Sequence, residues 1–151
     1  MWLNLLLVVA LVVLDQLVKA AIVAHFTLGA VQVVIPGVLA LTNLHNSGAA
    51  WSILSGQQAL FFALTIVAVA VLGYFLWRYR QQRWLTLALS LMLAGALGNF
   101  IDRLAQGYVV DMFELLFINF PVFNVADSCL TIGVALLALQ ILLEKDDPDD
   151  D

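Results

Sequence analysis

Four long apolar segments constrain the fold of this 151-residue chain more than any other feature of its sequence. Each is about 20 residues long, and a helix of that length spans roughly 30 Å, the thickness of the hydrocarbon core of a bilayer. Charged residues make up only 11% of the chain, whereas a soluble domain is about a quarter charged. The sequence therefore predicts an all-α membrane protein with four transmembrane helices, at residues 3–24, 59–77, 84–100 and 125–143.

The net charge of −5 comes from the acidic stretch "DDPDDD" at 146–151. A short acidic segment that contains proline is typical of a solvated, disordered tail. Because the rest of the chain contains no repeat and no other low-complexity tract, we expect residues 1–145 to form a single four-helix membrane domain. No basic patch is present that could follow a phosphate backbone, so nucleic acid is not expected as a partner.

The short connection between the second and third spans predicts the orientation in the membrane. This loop reads "RYRQQR" and contains Arg78, Arg80 and Arg83. Positively charged residues in short loops remain in the cytoplasm. Both termini are therefore predicted to be cytoplasmic, with residues 25–58 and 101–124 on the extracytoplasmic side.

Two extracytoplasmic stretches are rich in the residues that favour strands. Residues 31–44, "VQVVIPGVLALTNL", place β-branched residues on both sides of a Pro-Gly pair, a pattern typical of strand, turn and strand. The aromatic and aliphatic stretch at 112–123 could pair with this hairpin or lie in the bilayer interface. We expect a small extracytoplasmic β element accompanied by an outer loop or short helix.

The buried-type acids of the chain all map to the extracytoplasmic end of the predicted bundle. Ionisable side chains inside a membrane are costly, and they usually face the bundle interior or a water-filled cavity. Polar residues that serve only helix packing would be expected at both depths, so one extracytoplasmic site is favoured. Its candidate residues in the spans and the outer loops are Asp15, Lys19, Asn46, Asn99, Asp102, Arg103, Asp111, Asn124 and Asp127.

Histidine and cysteine offer few catalytic options in this chain. His25 and His45 are the only histidines, and no His-Glu-x-x-His zinc motif is present. His45 could in principle activate Ser47, but no third group is placed to orient it. Cys129, the only cysteine, is expected to pack as a small apolar residue in the fourth span.

Two carboxylates are the remaining candidates for chemistry. When two carboxyl groups lie close together they share a proton, so one can act as a base toward water while the other donates to a substrate carbonyl. Asp111 and Asp127 suit this role because the intervening residues can leave the membrane surface and return to it. On spacing alone, Asp111 is equally well explained as an exposed loop acid and Asp127 as an acid favoured by a helix N-terminus.

Five short motifs give the chain a resemblance to a known family. They are "DQLVK" at 15–19, "NSGAAWS" at 46–52, "GNFIDR" at 98–103, "GYVVD" at 107–111 and "FNVADS" at 123–128. In this order across four spans, they resemble the bacterial lipoprotein signal peptidases, or signal peptidase II family.

The resemblance implies an intramembrane aspartic endopeptidase of the bacterial inner membrane. Its substrates would be diacylglyceryl-modified prolipoproteins, cleaved before the lipidated cysteine, and globomycin-type cyclic peptides would inhibit it. It implies a monomer that uses membrane lipid as its surroundings and needs neither a metal nor a cofactor. The implied catalytic pair is Asp111 and Asp127, and the implied substrate-binding or supporting residues are Asp15, Lys19, Asn46, Gly48, Asn99, Asp102, Arg103 and Asn124.

Small departures from the family pattern leave the carboxylate pair untouched. Trp51 stands where phenylalanine is usual, and His45 precedes Asn46 where many members have another polar residue.

The glycine-containing segment 25–58 is predicted to close over bound peptide as a lid.

Two other classes of protein compete with the peptidase. A transporter or proton-relay subunit would carry ions on Asp15, Lys19, Asp102 and Asp127, and its polar residues should continue to the cytoplasmic leaflet. A membrane scaffold without enzymatic activity would tolerate amide replacements at both Asp111 and Asp127.

Overall fold

The computed structural model describes residues 2–48 and 56–145, so Trp51 and the acidic stretch at 146–151 lie outside the described residues. Its helices are α1 (Trp2–His25), α2 (Gln58–Arg78), α3 (Arg83–Gln106) and α4 (Val125–Lys145). Its strands are β1 (Val31–Ile35), β2 (Leu39–Asn46) and β3 (Val109–Leu115). Within the described residues, four helices are long and apolar enough to cross a membrane. The predicted fold class is confirmed.

Helix α3 lies at the centre of the bundle and packs against α1, α2 and α4. It continues to Gln106 and ends at Gly107, which adopts a left-handed conformation with φ 78° and donates its backbone N–H to Arg103 O. The predicted span stopped at residue 100 because hydropathy falls where the polar residues begin. Those residues remain helical because the bundle satisfies their side chains, so the helix extends about one and a half turns further.

Glycines allow α3 to approach its neighbours closely. A Cβ added to Gly95 would lie 2.3 Å from Ala126 O, and one added to Gly98 would lie 2.7 Å from Asp15 Oδ2. Further along α4, a Cβ on Gly133 would meet Ala88 O at 2.8 Å. Membrane helices associate through such small residues because lipid supplies no hydrophobic drive between helices.

We expect Gly95→Ala to destabilise the protein by about 1–3 kcal/mol, the usual cost of overpacking. The added methyl group would collide with a backbone carbonyl of α4, which cannot move aside as a flexible side chain could. Gly73→Ala is the matched control, because a Cβ at this glycine of α2 meets no atom within 4 Å. Thermal unfolding in detergent should separate the two variants, and equal melting temperatures would contradict the close approach.

The three strands form one antiparallel sheet in the order β1-β2-β3. The predicted hairpin is confirmed, with Gly37 at φ 71° in its turn. Residues 112–123 were expected either to pair with this hairpin or to lie in the bilayer interface. Strand β3 pairs with β2, so pairing is correct for the first residues of this stretch. The chain then turns back alongside β3, where Phe113 N donates to Phe123 O at 2.8 Å. This contact places Phe123 beside β3, just before the start of α4.

The strand alternation of β3 determines which side chains face the helices and which face the opposite side. Val110 and Met112 are buried in a cluster with Ile22 of α1. Because successive side chains of a strand point to opposite faces, Val109 and Asp111 point the other way, and both line a cavity. The register of one short strand therefore brings Asp111 to that cavity, at the end of the bundle where the sheet lies.

Candidate active site

Asp111 and Asp127 line the same cavity, which has a volume of about 480 Å³. Asp111 comes from β3, and Asp127 lies in the first turn of α4. Three polar residues from other elements line the cavity with them: Asn46 of β2, and Asn99 and Arg103 of α3. The two carboxylates that sequence placed at the same membrane surface thus share one concave site.

Asn124 forms hydrogen bonds with both carboxylates. Its side-chain Nδ2 donates to Asp111 Oδ1 at 2.7 Å, and its backbone N–H donates to Asp127 Oδ2 at 3.2 Å. Its Oδ1 accepts from the backbone N–H of Asp127 at 2.8 Å. This reciprocal pattern is a capping box, which satisfies the unpaired N–H groups at the start of α4. The helix cap therefore also fixes the carboxylate of Asp127 relative to that of Asp111.

The side-chain amides of Asn99 and Asn46 also orient the two carboxylates. Asn99 Nδ2 donates to Asp127 Oδ1 at 2.7 Å, and Asn46 Nδ2 donates to Asp111 Oδ2 at 3.0 Å. Asn99 Oδ1 also accepts from Asn124 Nδ2 at 3.0 Å. Every carboxylate oxygen of the pair accepts at least one hydrogen bond, so the orientation of both groups is fixed.

Burial changes the protonation of Asp111. The residue is 1% exposed, and burial, followed by the negative charge of Asp127, raises its pKa from 3.8 to about 7. The hydrogen bonds from Asn46 and Asn124 and the charge of Lys19 act in the opposite direction. Near neutral pH, Asp111 therefore holds a proton in a large fraction of molecules.

A buried ionic cluster supports the site from the side of α1. Lys19 Nζ lies 2.8 Å from Asp15 Oδ2 and 2.9 Å from Asp102 Oδ2, and it donates to Asn99 Oδ1 at 3.1 Å. Asp15 Oδ1 accepts from the backbone N–H of Ala126 at 2.9 Å. The expected one-turn pair of Asp15 and Lys19 is thus present, and none of the three charged residues lines the cavity.

Arg103 lies at the border of the site. Its Nη2 donates to Gly48 O at 3.1 Å, and its guanidinium lies 4.7 Å from the centre of the Phe61 ring. Gly48 N in turn donates to Asn46 Oδ1 at 3.0 Å. Arg103 therefore holds the end of β2 against α2 and α3, and with it the amide that contacts Asp111.

Sequence reasoning missed two glutamines that organise the site. Gln16 Nε2 donates to Asp102 Oδ1 at 2.9 Å and to Gly98 O at 3.2 Å. Gln58 Nε2 donates to Gly107 O and, at 3.4 Å, to Ser47 O. Gln16 lies within the "DQLVK" motif, next to Asp15, and this position was a signal that could have identified it; Gln58 follows Gln57 at the start of α2, where no such motif marks it.

His45 does not join the carboxylates. It neighbours Asn46 on β2 and therefore points to the other face of the sheet, where its ring stacks on Tyr108 at a centroid distance of 3.8 Å. Burial lowers the pKa of His45. Among residues 2–48 and 56–145, no group of three or more histidine, cysteine, aspartate or glutamate side chains is arranged to hold a metal ion.

Comparison with known proteins agrees across sequence and structure. A family model described as "Signal peptidase (SPase) II" matches residues 7–143. A lipoprotein signal peptidase of Lactiplantibacillus plantarum is 57% identical over 142 residues, covering 94% of this chain and 95% of the relative. The lipoprotein signal peptidase of Streptococcus pneumoniae is 51% identical over 140 residues and covers 92% of both chains.

Two solved structures share the fold, each described as a bacterial membrane enzyme determined by the in meso method. One is 39% identical with a TM-score of 0.95 and covers 100% of this chain and 94% of the solved chain. The other is 41% identical with a TM-score of 0.87 and covers 94% of both chains.

Proposed function

This chain belongs to the signal peptidase II family, and on that premise we propose that it removes signal peptides from diacylglyceryl-modified prolipoproteins by cleaving before the lipidated cysteine. The observation that carries the proposal is the placement of Asp111 and Asp127 on one cavity, joined through Asn124. The reaction is hydrolysis by an aspartic dyad in a multi-pass protein of the bacterial inner membrane.

The two carboxyl groups divide the acid and base roles. Asp127, as the ionised partner, accepts a proton from a water molecule while the water oxygen attacks the scissile carbonyl. Asp111, whose pKa is raised to about 7, donates its proton to the carbonyl oxygen, so that a neutral tetrahedral intermediate forms. Asp127 then gives its proton to the nitrogen of the leaving amine while Asp111 takes a proton from a hydroxyl group of the intermediate, so the peptide bond breaks and the pair again holds one proton.

The distribution of buried polar groups favours an enzyme over an ion-conducting protein. In the other half of α3, the hydroxyl of Ser90 donates to Thr86 O at 2.6 Å, and that of Thr86 donates to Gln82 O at 2.9 Å. Both hydroxyls are thus used within their own helix. Among the described residues, the charged cluster is confined to the end of the bundle where the sheet lies, and the positive-inside rule assigns this end to the extracytoplasmic face.

Two further expectations accompany this proposal. The enzyme is expected to act as a monomer within a single domain of residues 1–145. Its cavity size lies in the range of small-molecule sites, so globomycin-type cyclic peptides are expected to compete with substrate there.

The pH dependence of cleavage should report the proton on Asp111. Because the acid must be protonated to donate, the rate is expected to fall as pH rises through about 7. The hydrogen bond from Asn46 lowers the pKa of Asp111, so Asn46→Ala should move this alkaline limb to higher pH. The apparent value belongs to the coupled pair. A rate that stays constant from pH 6 to pH 9 at saturating substrate would contradict the assignment.

The direct test of the function is cleavage of a purified precursor in detergent or in lipid vesicles. The diacylglyceryl-modified precursor should be cut before the modified cysteine, as the masses of the products would show. The same precursor without the lipid is the matched control and should remain intact. A chelator is expected to leave the cleavage rate unchanged. Loss of cleavage in the presence of the chelator would favour a metallopeptidase.

A further inference from the structure

Three arginines lie in the short connection between α2 and α3, at the end of the bundle opposite the dyad. Arg78 ends α2, Arg80 lies in the turn and Arg83 begins α3, and all three are exposed. The chain contains no aspartate or glutamate from residue 16 to residue 101. Among the side chains that the structure describes, only Lys19 forms ion pairs. These three residues, the arginine cluster, therefore present their positive charge to the surroundings of the protein.

Aromatic rings hold two of the guanidinium groups in place. The guanidinium of Arg80 lies 5.5 Å from the centre of the Trp77 ring, and its Nη1 donates to Trp77 O at 3.1 Å. The guanidinium of Arg78 lies 5.4 Å from the centre of the Tyr79 ring. These separations are typical of cation–π contacts. Because a guanidinium has five N–H donors, both groups retain donors for a ligand after these contacts are made.

The start of α3 adds further N–H donors to the same turn. Gln82 N donates to Tyr79 O at 2.9 Å, which closes the turn between the two helices. Gln82 is the N-cap of α3, but its side chain makes no capping hydrogen bond, and the first turn of the helix contains no acidic residue. The first backbone N–H groups of a helix have no partner within the helix and carry partial positive charge. The turn therefore combines positive charge with N–H donors that suit an oxyanion.

Exposed apolar side chains continue from the arginine cluster toward the middle of the helices. Tyr74 and Val71 precede Arg78 by four and seven residues, so the three residues share one face of α2. Tyr74 is 57% exposed and Val71 is 46% exposed. On the side of α3, Trp84 is 71% exposed, and tryptophan favours the head-group level of a membrane. Cations at the surface with apolar side chains below them match the two parts of a phospholipid.

An anionic phospholipid fits these features better than a nucleic acid or the acidic stretch at 146–151. Both helices are long and apolar enough to cross a membrane, so the short connection between them holds the arginine cluster at the surface of the bilayer. A nucleic acid or an acidic peptide supplies negative charge but no acyl chain for the exposed face of α2. Basic pockets between membrane helices on the cytoplasmic side bind anionic head groups.

We propose that the arginine cluster and the start of α3 bind the phosphate of an anionic phospholipid in the cytoplasmic leaflet, with its acyl chains packed along Tyr74 and Val71. The guanidinium groups form charge-assisted hydrogen bonds with the phosphate oxygens. Because the lipid binds the folded pair of α2 and α3, it stabilises the folded protein. The site lies at the opposite end of α3 from the dyad, so it does not depend on the proposed function.

Thermal unfolding of the full chain in neutral detergent tests the site, with phosphatidylglycerol or phosphatidylcholine of the same acyl chains added to the micelles. Phosphatidylglycerol at about ten times its dissociation constant should raise the melting temperature by about 3–6 °C, and phosphatidylcholine by less than about 1 °C. The triple variant Arg78→Gln/Arg80→Gln/Arg83→Gln should lose most of this rise. Without lipid it should melt near the wild-type temperature, because all three residues are exposed.

Gln81→Ala is the matched control for the triple variant. Gln81 is exposed in the same turn but carries no charge, so the rise with phosphatidylglycerol should be retained in full. Loss of the rise in this variant would show that the turn itself, and not the arginine cluster, is responsible.

Replacement of all three arginines by lysine separates a phosphate site from diffuse surface charge. Lysine keeps the net charge but lacks the planar group that pairs with two phosphate oxygens, so this variant should keep less than about half of the rise. An undiminished rise would show that surface charge alone attracts the lipid, and it would overturn the proposal.

Further outcomes would also overturn the proposal. Equal rises with both lipids would show that the head group is not recognised. A rise of the same size with inorganic phosphate would assign the arginine cluster to a free anion. No rise with phosphatidylglycerol would exclude the lipid, and its appearance only after removal of residues 146–151 would assign the arginine cluster to that acidic stretch.

Discussion

Asp111→Asn is expected to lower the rate of signal-peptide removal by about 10³-fold or more, and Asp127→Asn by a similar factor. An amide cannot supply or accept the proton that the reaction moves, and positioned general acids and bases contribute about 10²–10⁴-fold each. Both residues line the cavity and are joined through Asn124, so losing either disables the pair. Single-turnover cleavage of the modified precursor measures the effect.

Glu114→Gln supplies the matched control for these two variants. Glu114 lies on the same strand as Asp111, opposite Ala40 of β2, and does not line the cavity. The amide replacement is chemically the same, yet cleavage should proceed at the wild-type rate. Retention of a tenth or more of the activity by Asp111→Asn, in a protein that unfolds at the wild-type temperature, would argue against an aspartic dyad.

Lys19→Met is expected to lower the free energy of unfolding by about 3–5 kcal/mol, the typical cost of breaking a buried ion pair from one side. Lys19 is 3% exposed, and its ammonium group lies within 2.9 Å of carboxylate oxygens of both Asp15 and Asp102. Methionine fills a similar volume but leaves the two buried carboxylates without their cation. Thermal unfolding in detergent measures the loss.

Arg80→Met is the control for this second prediction. It also removes one positive charge, but from an exposed residue in the loop between α2 and α3, so stability should change little. A triple variant, Asp15→Asn with Lys19→Met and Asp102→Asn, should recover part of the stability because no unpaired charge remains. A Lys19→Met protein as stable as wild type would contradict the structural role of the cluster.

The four spans and the hairpin could be predicted because they depend on local patterns. Apolar length determines a membrane helix whatever its neighbours are, and the Pro36-Gly37 pair marks its turn without reference to the rest of the fold. The third span was predicted at about residues 84–100, whereas the helix α3 continues to Gln106. Hydropathy treats Asp102 as the edge of the membrane, whereas its carboxylate is buried against Lys19 and Gln16.

The sequence predicted which residues belong to the site better than it predicted how they contact one another. Sequence placed Asn124 among the candidates but did not show that it contacts both aspartates, since this depends on the β3 register and the cap of α4 together. The fit of Gly98 against Asp15 is likewise a tertiary contact. Such contacts are made between segments far apart in the chain, and composition and periodicity contain no information about them.

The central claim is that Asp111 and Asp127 act as one unit that shares a proton. Residues that act as a unit have non-additive effects on the rate, so the single-turnover rate of the Asp111→Asn/Asp127→Asn double variant is the most direct measurement. The account predicts a rate equal to that of either single variant. A double variant slower by the product of the two single losses would show independent roles and contradict the shared-proton dyad.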